Sequence, residues 1–477
     1  MNILLLNVPN RNNKSAFMLP LGLLYVGRIL ESSGNNVIIK DPYVKDLEIY
    51  DETYLDGIIN DFKPVIIGFG GVSTSYSNVK KISNHIAYHH PEILQIAGGA
   101  LSADYKLLLT RTGIDVVFHG ETEISIPLFL DRLDKYESYY DIEGISFFIN
   151  GSVVRNKDSQ QVTNLDNIPL PAYHLVDVHD YLLDNQYSGG RYIQLLTSRG
   201  CTNGCIFCYR HMRGHRQNSI EYVMGHLKFL VETYDIHDFS FIDEYFNKDY
   251  EWVMSFCDAL EDSGFHIKYI VDGMRVSNVD KSLLTRLMET GCVSISYGQE
   301  SGSERVLRDL RKGVTVKQNR DVTNLTRSLG IHNTVQLVIG SPRETLGTIY
   351  ETIRFLKETD SYKGYTLNYL LPLPETPIWG YVEENGLIPD FEEYLDRAVK
   401  IEGHGSLVNL TCQPDFIWRV WDLYIRFEMK CYYYLKVKSY GKYLVFKSIV
   451  LFLPLLSVVL YRTPSFVKDR FNRLVSV

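Results

Sequence analysis

The residues of this chain best suited to chemistry are three cysteines, Cys201, Cys205 and Cys208, in the run Cys-Thr-Asn-Gly-Cys-Ile-Phe-Cys. Three thiolates in a CxxxCxxC spacing can hold three irons of a [4Fe–4S] cube and leave the fourth open to a substrate or cofactor. A plain electron carrier would want a fourth cysteine nearby, and the next, Cys257, lies far downstream without neighbours. A zinc site wants four ligands. His211 and His215 follow closely, so a mixed Cys/His zinc site is the competing reading. Cys257, Cys292, Cys412 and Cys431 are too irregularly spaced for a second cluster and read as small buried side chains.

The flanks sharpen the first reading. An apolar run over 192–197 reads as a strand, Ser198-Arg199-Gly200 follows it, and Phe207 stands before the third cysteine, where an aromatic ring can exclude water from a cluster. On these residues the chain resembles the radical S-adenosylmethionine (SAM) enzymes, and the resemblance extends over about residues 190–375.

The elements that must position the cysteines are legible on both sides of them. Over residues 1–135, candidate strands at 3–8, 36–40, 65–69, 94–97 and 115–118 alternate with helical patterns at 21–33, 52–62, 77–89 and 103–111. The first strand ends at Pro9, and Gly34 suits the C-terminal αL position of the first helix. Such alternation implies a doubly wound parallel sheet, whose ligands bind at the carboxyl ends of the strands. No GxGxxG follows the first strand, so a dinucleotide fingerprint is missing. Residues 136–190 form a connector with a hairpin about Asn150-Gly151 and a linker carrying Pro169 and Pro171. From residue 191 to 375 the alternation resumes, with strands at 192–197, 238–242, 267–271, 293–297, 334–339 and 365–371. Ile349, Ile353 and Leu356 make one helix stripe.

The N-terminal part is similar to the Rossmann-like cobalamin-binding domain fused to many radical SAM enzymes. The shared pieces are Pro20-Leu21-Gly22-Leu23, the turn at Ser73-Thr74-Ser75, the pair Gly98-Gly99, and Gly120-Glu121-Thr122-Glu123. The resemblance implies cobalamin contacts at Pro20, Gly22, Ser73, Thr74, Gly98, Gly99, Gly120 and Glu121. The Asp-x-His-x-x-Gly signature of cobalt-ligating histidines is absent, as it commonly is in this branch. Asp177-Val-His179 and Asp235-Ile-His237 lack the glycine, and His119 reads as an ordinary strand-end histidine. No cysteine precedes Cys201, which argues against the methylthiotransferase branch.

For the core, the resemblance implies a partial (β/α)6 barrel with Cys201, Cys205 and Cys208 as cluster ligands. Asp243 and Glu244, after the second strand, can bind the ammonium of SAM, the alternative being a solvated acidic loop. Arg275 can pair with a carboxylate, the alternative being a surface arginine. Gly298-Gln299-Glu300-Ser301 matches the family turn near the methionine and ribose of SAM, and Gly340-Ser-Pro-Arg-Glu344 the turn beside its adenine. The implied chemistry is reductive cleavage of SAM to a 5′-deoxyadenosyl radical that abstracts a substrate hydrogen. With cobalamin bound it extends to methyl transfer, SAM remethylating the cobalt. Cyclisation or rearrangement, or a sensor or scaffold without turnover, are the alternatives. The partners implied are a small or lipid-like substrate and a low-potential electron donor such as flavodoxin or ferredoxin.

The chain has 477 residues, 45% hydrophobic and 22% charged, and a net charge of −8. The charge makes a sequence-independent grip on nucleic acid unexpected. Seven cysteines without a disulfide framework, and a start without a basic leader, suit the cytoplasm. Residues 376–477 form a mainly helical extension. Leu371-Pro-Leu-Pro-Glu-Thr-Pro377 resembles the family's Pro-Gly-Thr-Pro, with Glu375 in place of the glycine. The apolar run 449–461, which contains Pro454, sits among Lys442, Lys447, Arg462, Lys468, Arg470 and Arg473. It reads as a membrane-surface helix, a substrate lid or a membrane span, with peripheral membrane contact through 443–477 as the partner it suggests.

Overall fold

The computed structural model describes residues 1–8, 18–41, 51–210, 212–399 and 407–461, the side chains of 452–461 excepted. Pro9, His211, the Pro454 ring and the basic residues from Arg462 onward lie outside the described residues. The first sheet has parallel strands β1 (Asn2–Asn7), β2 (Asn36–Lys40), β3 (Ile66–Gly70), β4 (Leu94–Gly98) and β5 (Val116–Phe118). The antiparallel hairpin β6 (Ile145–Ile149) and β7 (Ser152–Arg155) completes it, in the order 2-1-3-4-5-6-7. Ile3, Leu4 and Leu5 are all buried, as expected of a strand covered on both faces, so its sequence is a continuous apolar run. The cover is α1 (Leu21–Ser32), α2 (Glu52–Phe62), α3 (Tyr76–His89), α4 (Tyr105–Arg111) and α5 (Ser125–Asp134). The helix expected from residue 103 starts later, because 99–104 form 3-10 turns first. At the hairpin, Asn150 and Gly151 both have positive φ, as a type I′ turn requires.

The connector lies along α1 instead of crossing open surface. Arg28 Nε donates to the Leu170 carbonyl and Ala172 N–H to that of Leu24, each at 3.1 Å. Tyr173, fully buried, carries the apolar core onward, and its hydroxyl meets His226 Nε2 at 2.8 Å. One continuous cluster therefore runs from Ile3, Leu24 and Phe118 through Tyr173 and Tyr181 to Leu227 and Phe239.

The second sheet contains β8 (Leu183–Asp184), β9 (Arg191–Leu195), β12 (Asp238–Phe241), β13 (Lys268–Met274), β14 (Cys292–Glu300), β15 (His332–Ile339) and β16 (Tyr365–Tyr369). Between β9 and β12, β10 (Ser198–Arg199) and β11 (Arg216–Gln217) make a separate two-stranded ribbon. The main sheet has the order 16-15-14-13-12-9-8, parallel except at β8, and is a curled half-barrel. Its helices are α6 (Ile220–Tyr234), α7 (Tyr250–Ser263), α8 (Lys281–Glu289), α9 (Glu304–Asp309), α10 (Val316–Ser328) and α11 (Leu346–Glu358). Ser219, Asp249, Asp280, Thr315 and Thr345 cap five of them with side-chain oxygens, each cap worth about 1 kcal/mol.

Beyond the barrel the extension divides. After α12 (Pro377–Glu384), α13 (Phe391–Ala398) returns to the first sheet, where Tyr394, Leu395 and Ala398 join its core. Glu392 there accepts from Tyr76 Oη at 2.8 Å and pairs with Lys80 at 2.6 Å. In contrast, α14 (Asp415–Trp418), α15 (Trp421–Lys436) and α16 (Tyr440–Tyr461) join the barrel at β15, β16 and α11. Among the described residues no helix is long and apolar enough to cross a membrane.

Candidate active site

The cysteine loop is fastened at its stem. Strand β9 stops at Leu195, two residues earlier than its apolar run suggests, because Thr197 and Ser198 turn to a buried carboxylate. Asp243 Oδ1 accepts from Thr197 N–H at 2.9 Å, Thr197 Oγ1 at 3.1 Å and Ser198 Oγ at 2.5 Å. Antiparallel pairing of Ser198 with Gln217 and Arg199 with Arg216 closes the stem. Gly200 sits there at φ +84°, and a Cβ on it would lie 2.5 Å from the Gly214 carbonyl. No other residue fits without moving backbone. Further out, Ile206 N–H donates to the Leu310 carbonyl at 3.1 Å, and Ile378 N–H to that of Ile206 at 2.9 Å. Phe207 packs with Ile206 against Val306, Leu310, Ile378 and Val382.

Within the loop Cys205 is buried, Cys201 half-buried and Cys208 exposed. The hydrogen bond from Cys208 holds the Cys205 thiol below its ordinary range, helped by the cations Lys312 and Arg275 and opposed by burial. Asn203 Nδ2 donates to Cys201 Sγ at 3.3 Å. A donor set of three thiols, one biased toward thiolate by neighbouring cations, fits a cluster that needs deprotonated ligands. The zinc reading gains nothing from His215, whose Nε2 is 3.1 Å from the Tyr245 carbonyl. Among the described residues no three His, Cys, Asp or Glu side chains converge on a single ion. Thiolates around a cube, each on a different iron, do not need to.

The carboxyl ends of the barrel strands carry the other core candidates. Asp243 is a buried anchor, its carboxyl pushed up to about 6 by burial. Glu244 lines the cavity described below. Arg275 is buried rather than on the surface. Its guanidinium donates to the Lys312 carbonyl and lies 5.5 Å from the centre of the Tyr245 ring. Strand β14 runs further than expected, so Gly298 and Glu300 belong to it, with an irregular register between them and Glu300 at φ +62°. Glu300 pairs with the buried Lys312 at 2.8 Å. A Cβ on Gly298 would lie 2.7 Å from Glu300 Oε1 and 2.9 Å from Lys312 Nζ, so the pair occupies the space a side chain would fill. Ser301 Oγ accepts from Ser303 N–H at 3.1 Å. Gly340 N–H donates to Glu344 Oε2 at 2.7 Å, and burial raises that carboxyl to about 7. Asp243 Oδ2, Arg275 Nε, Gln299 Oε1 and Glu344 Oε1 are buried without a hydrogen-bond partner among the described residues. Such groups are costly unless something polar meets them, and this mouth suits a charged, polar co-substrate such as SAM.

A cavity of about 480 Å³, within the usual range of small-molecule sites, lies between the two sheets. From the first sheet Pro20, Gly22, Gly98, Gly99, Gly120 and Glu121 border it, and from the barrel Ser198, Arg199, Gly200 and Glu244. Its floor is the crevice between β1 and β3, where strand order reverses and open sheets bind ligands. Among the described residues a Cβ on Gly22 would meet nothing within 4 Å. A mostly apolar wall of backbone at such a crevice fits a bulky cofactor of cobalamin's kind. Ser73 and Thr74 lie beside this lining and not in it. His119 is buried, with Nε2 2.7 Å from Ser146 Oγ.

Glu121 has another engagement that its motif does not disclose. Arg216 reaches its two oxygens at 2.8 and 2.7 Å, and Arg199 lies 3.3 Å away while pairing with Glu123 at 2.6 Å. Burial would raise the Glu121 carboxyl, but these cations hold it below its ordinary range. This network ties the first sheet to the stem of the cysteine loop. The available signal was a Glu-x-Glu turn in one half and two arginines flanking the cysteines in the other. A second, polar cavity of about 420 Å³ shares Gly120 and Glu121 with the first and reaches Tyr209 and Arg210 beyond Cys208.

With this geometry in hand, comparison with known proteins gives a consistent result. The radical SAM superfamily model matches residues 195–356, and the B12 binding domain model residues 13–130. An uncharacterised methyltransferase of Pyrococcus horikoshii is 28% identical over 378 residues, covering 77% of this chain and 79% of its own. The cytidylyl-2-hydroxyethylphosphonate methyltransferase of Streptomyces wedmorensis is 26% identical, covering 72% of each chain. The radical SAM methyltransferase TsrM from Kitasatospora setae, solved with cobalamin and a [4Fe–4S] cluster bound, superposes with a TM-score of 0.66. It is 19% identical over 80% of this chain and 75% of its own. The chain belongs to the radical SAM enzymes with a cobalamin-binding domain, and its cofactors are a [4Fe–4S] cluster, SAM and cobalamin.

Proposed function

We propose that this enzyme transfers a methyl group to an unactivated centre of a small or lipid-like substrate, with a low-potential carrier such as flavodoxin or ferredoxin as electron donor. The observation that carries the reading is the shared space between the sheets. The glycine-lined crevice of the first and the stem of the cysteine loop, up to Gly200, border one cavity. When bound, the cluster supplies one-electron reduction of SAM and cobalamin supplies a methyl carrier, which is chemistry no side chain here provides.

The chain's own residues bind, orient and exclude water. Cys201, Cys205 and Cys208 are the cluster ligands in this reading, with Lys312 and Arg275 favouring the thiolate of Cys205. Asp243 holds the loop stem, while Glu244, Arg275 and the β14 and β15 turns at Gly298, Glu300, Ser301 and Gly340 surround SAM. Pro20, Gly22, Gly98, Gly99 and Gly120 offer cobalamin exposed backbone, with Ser73 and Thr74 in the turn behind it. Glu121 acts from the Arg199–Arg216 network, setting the distance between the halves. Overall, one substrate C–H, two SAM and two electrons give the methylated product, 5′-deoxyadenosine, methionine and S-adenosylhomocysteine.

The test is anaerobic reconstitution with iron, sulfide and cobalamin, followed by an assay for both nucleoside products in the presence of candidate substrates. 5′-Deoxyadenosine together with S-adenosylhomocysteine supports methyl transfer. Deoxyadenosine without S-adenosylhomocysteine in a converting substrate points to cyclisation or rearrangement. Neither product, with cluster and SAM bound, would leave a sensor.

A further inference from the structure

The strongest unassigned feature is the outer face of the C-terminal helices. In α16, Tyr440, Leu444, Val445, Ser448 and Leu451 fall on one side and are exposed, Leu444 and Leu451 by 63% and 68%. The opposite side carries Tyr443, Phe446, Ile449 and Val450 against α15 and the barrel. At the turn joining the helices, Leu435 and Val437 are exposed as well. An apolar stripe of this kind on a helix that already has a packed inner side needs an occupant.

The charge identifies it. Residues 429–477 contain nine Lys and Arg and a single Asp, so this stretch carries +8 in a chain of −8, leaving −16 on the remainder. Two of the nine are paired from outside the stretch, Lys447 with the buried Glu428 at 2.6 Å, which also meets Lys357 at 2.7 Å, and Lys436 with Asp360 at 3.3 Å, and an excess of positive charge remains. Lys438 and Lys442 stay exposed around the stripe, with Lys442 5.5 Å from the centre of the Tyr434 ring. Tyr432, Tyr433, Tyr434 and Tyr440 supply rings of the kind that sit at headgroup depth. A protein partner would need a strongly acidic, apolar complement. An anionic bilayer offers both properties over an unlimited area.

We infer that α15 and α16 form a docking surface for anionic lipid bilayers, on which α16 lies in the interface without crossing it. The inference does not rest on methyl transfer. It has a consequence for access: the same helical unit places Trp418 within 3.9 Å of a Cβ built on Gly340, at the barrel mouth. A docked enzyme would hold that mouth near the lipid phase.

The test is co-sedimentation of the full-length, cofactor-loaded enzyme with vesicles of phosphatidylglycerol mixed with phosphatidylcholine, and of phosphatidylcholine alone. Binding is expected to the mixed vesicles, to fall steeply with added salt and to be weak on neutral ones. Leu444→Asp with Val445→Asp should weaken it about tenfold or more, and Lys438→Glu with Lys442→Glu at least about fivefold. All four side chains are exposed, so thermal melting should be unchanged. No binding to mixed vesicles would overturn the inference, as would equal binding to neutral ones. So would a stable dimer that Leu444→Asp dissociates, which would make a second copy the occupant.

Discussion

At the carboxyl ends of the first sheet stand Gly70, Gly71, Gly98, Gly99 and Gly120, and the wall is glycine backbone among apolar side chains such as Leu19, Leu23 and Val72. At the carboxyl ends of the second stand Asp243, Arg275, Glu300 and Glu344, and the wall is buried charge. The first sheet and, through the residues after β9 and β12, Glu244 included, the second border one cavity, yet the two ends select differently. Bare backbone accepts by shape, and a bulky cofactor can lie against it over a wide area. Buried charges accept by complementarity, because each must be matched or pay a desolvation cost. The contrast teaches how one chain can hold two unlike ligands close together. The Arg199–Glu121–Arg216 network is where the two principles meet.

The comparison can be broken most severely at the cysteines. Cys205→Ala should reduce 5′-deoxyadenosine formation to background and lower bound iron, read by chromatography and metal analysis. Cobalamin binding should persist, since Cys205 does not border the glycine-lined cavity. The converse variant is Gly22→Trp. It fills open space on a helix, where replacing glycine is not unfavourable in itself. Cobalamin affinity, followed by its visible spectrum, should fall on the order of a hundredfold, with the cluster retained.

A third experiment asks whether charge matters for stability in the barrel as shape does in the first sheet. Lys312→Met leaves Glu300 buried and unpaired, and should cost about 3–5 kcal/mol in denaturant titrations. Adding Glu300→Gln should recover much of the loss. A fourth concerns Asp104, buried behind the first sheet's glycines. Burial pushes its carboxyl up to about 7, with Glu375 adding to the rise and Ser73 opposing it. Because the folded value lies above the ordinary one, the protonated group's contribution is full below about pH 4 and is lost as pH rises through about 7. Asp104→Asn should therefore stabilise the protein by about 1–3 kcal/mol at pH 8 relative to pH 5, read as a difference from the parent. The smallest effect is expected at Glu375, a non-glycine residue at φ +61°. Its carboxylate pairs with Arg155. Glu375→Gly relieves strain of about 1–2 kcal/mol but loses an exposed pair worth about 0–1 kcal/mol and adds chain entropy of similar size. Its melting temperature should barely move.

Much of the framework was legible because burial leaves a pattern. The strand at Asn36–Lys40 and the helix at Glu52–Phe62 have the ends their sequences suggest, and the Asn150-Gly151 turn is where it should be. The differences that bear on the site lie at the carboxyl ends of the strands. Strand β9 stops before Thr197 because Asp243, distant in sequence, captures the next residues. Strand β14 continues to Glu300 because Lys312 holds that residue from the following loop. The fate of Glu121 was also hidden, since its arginines come from another domain. Nor did the helical extension read as two parts, although Tyr394 and Leu395 join the first sheet while Trp418 and Trp421 join the second.

What the sequence determined by itself is everything carried by local spacing: thiolates close enough for one cluster, the alternation of strand and helix, and an excess of positive charge around an apolar tail. Those properties depend on neighbours along the chain, and neighbours along the chain are what a sequence displays. Tertiary structure alone decided which charges are buried together, which side of α16 is left exposed, and that both sheets open onto one cavity. Each depends on groups far apart in the chain meeting where water is excluded, and there pairing and packing set the energies.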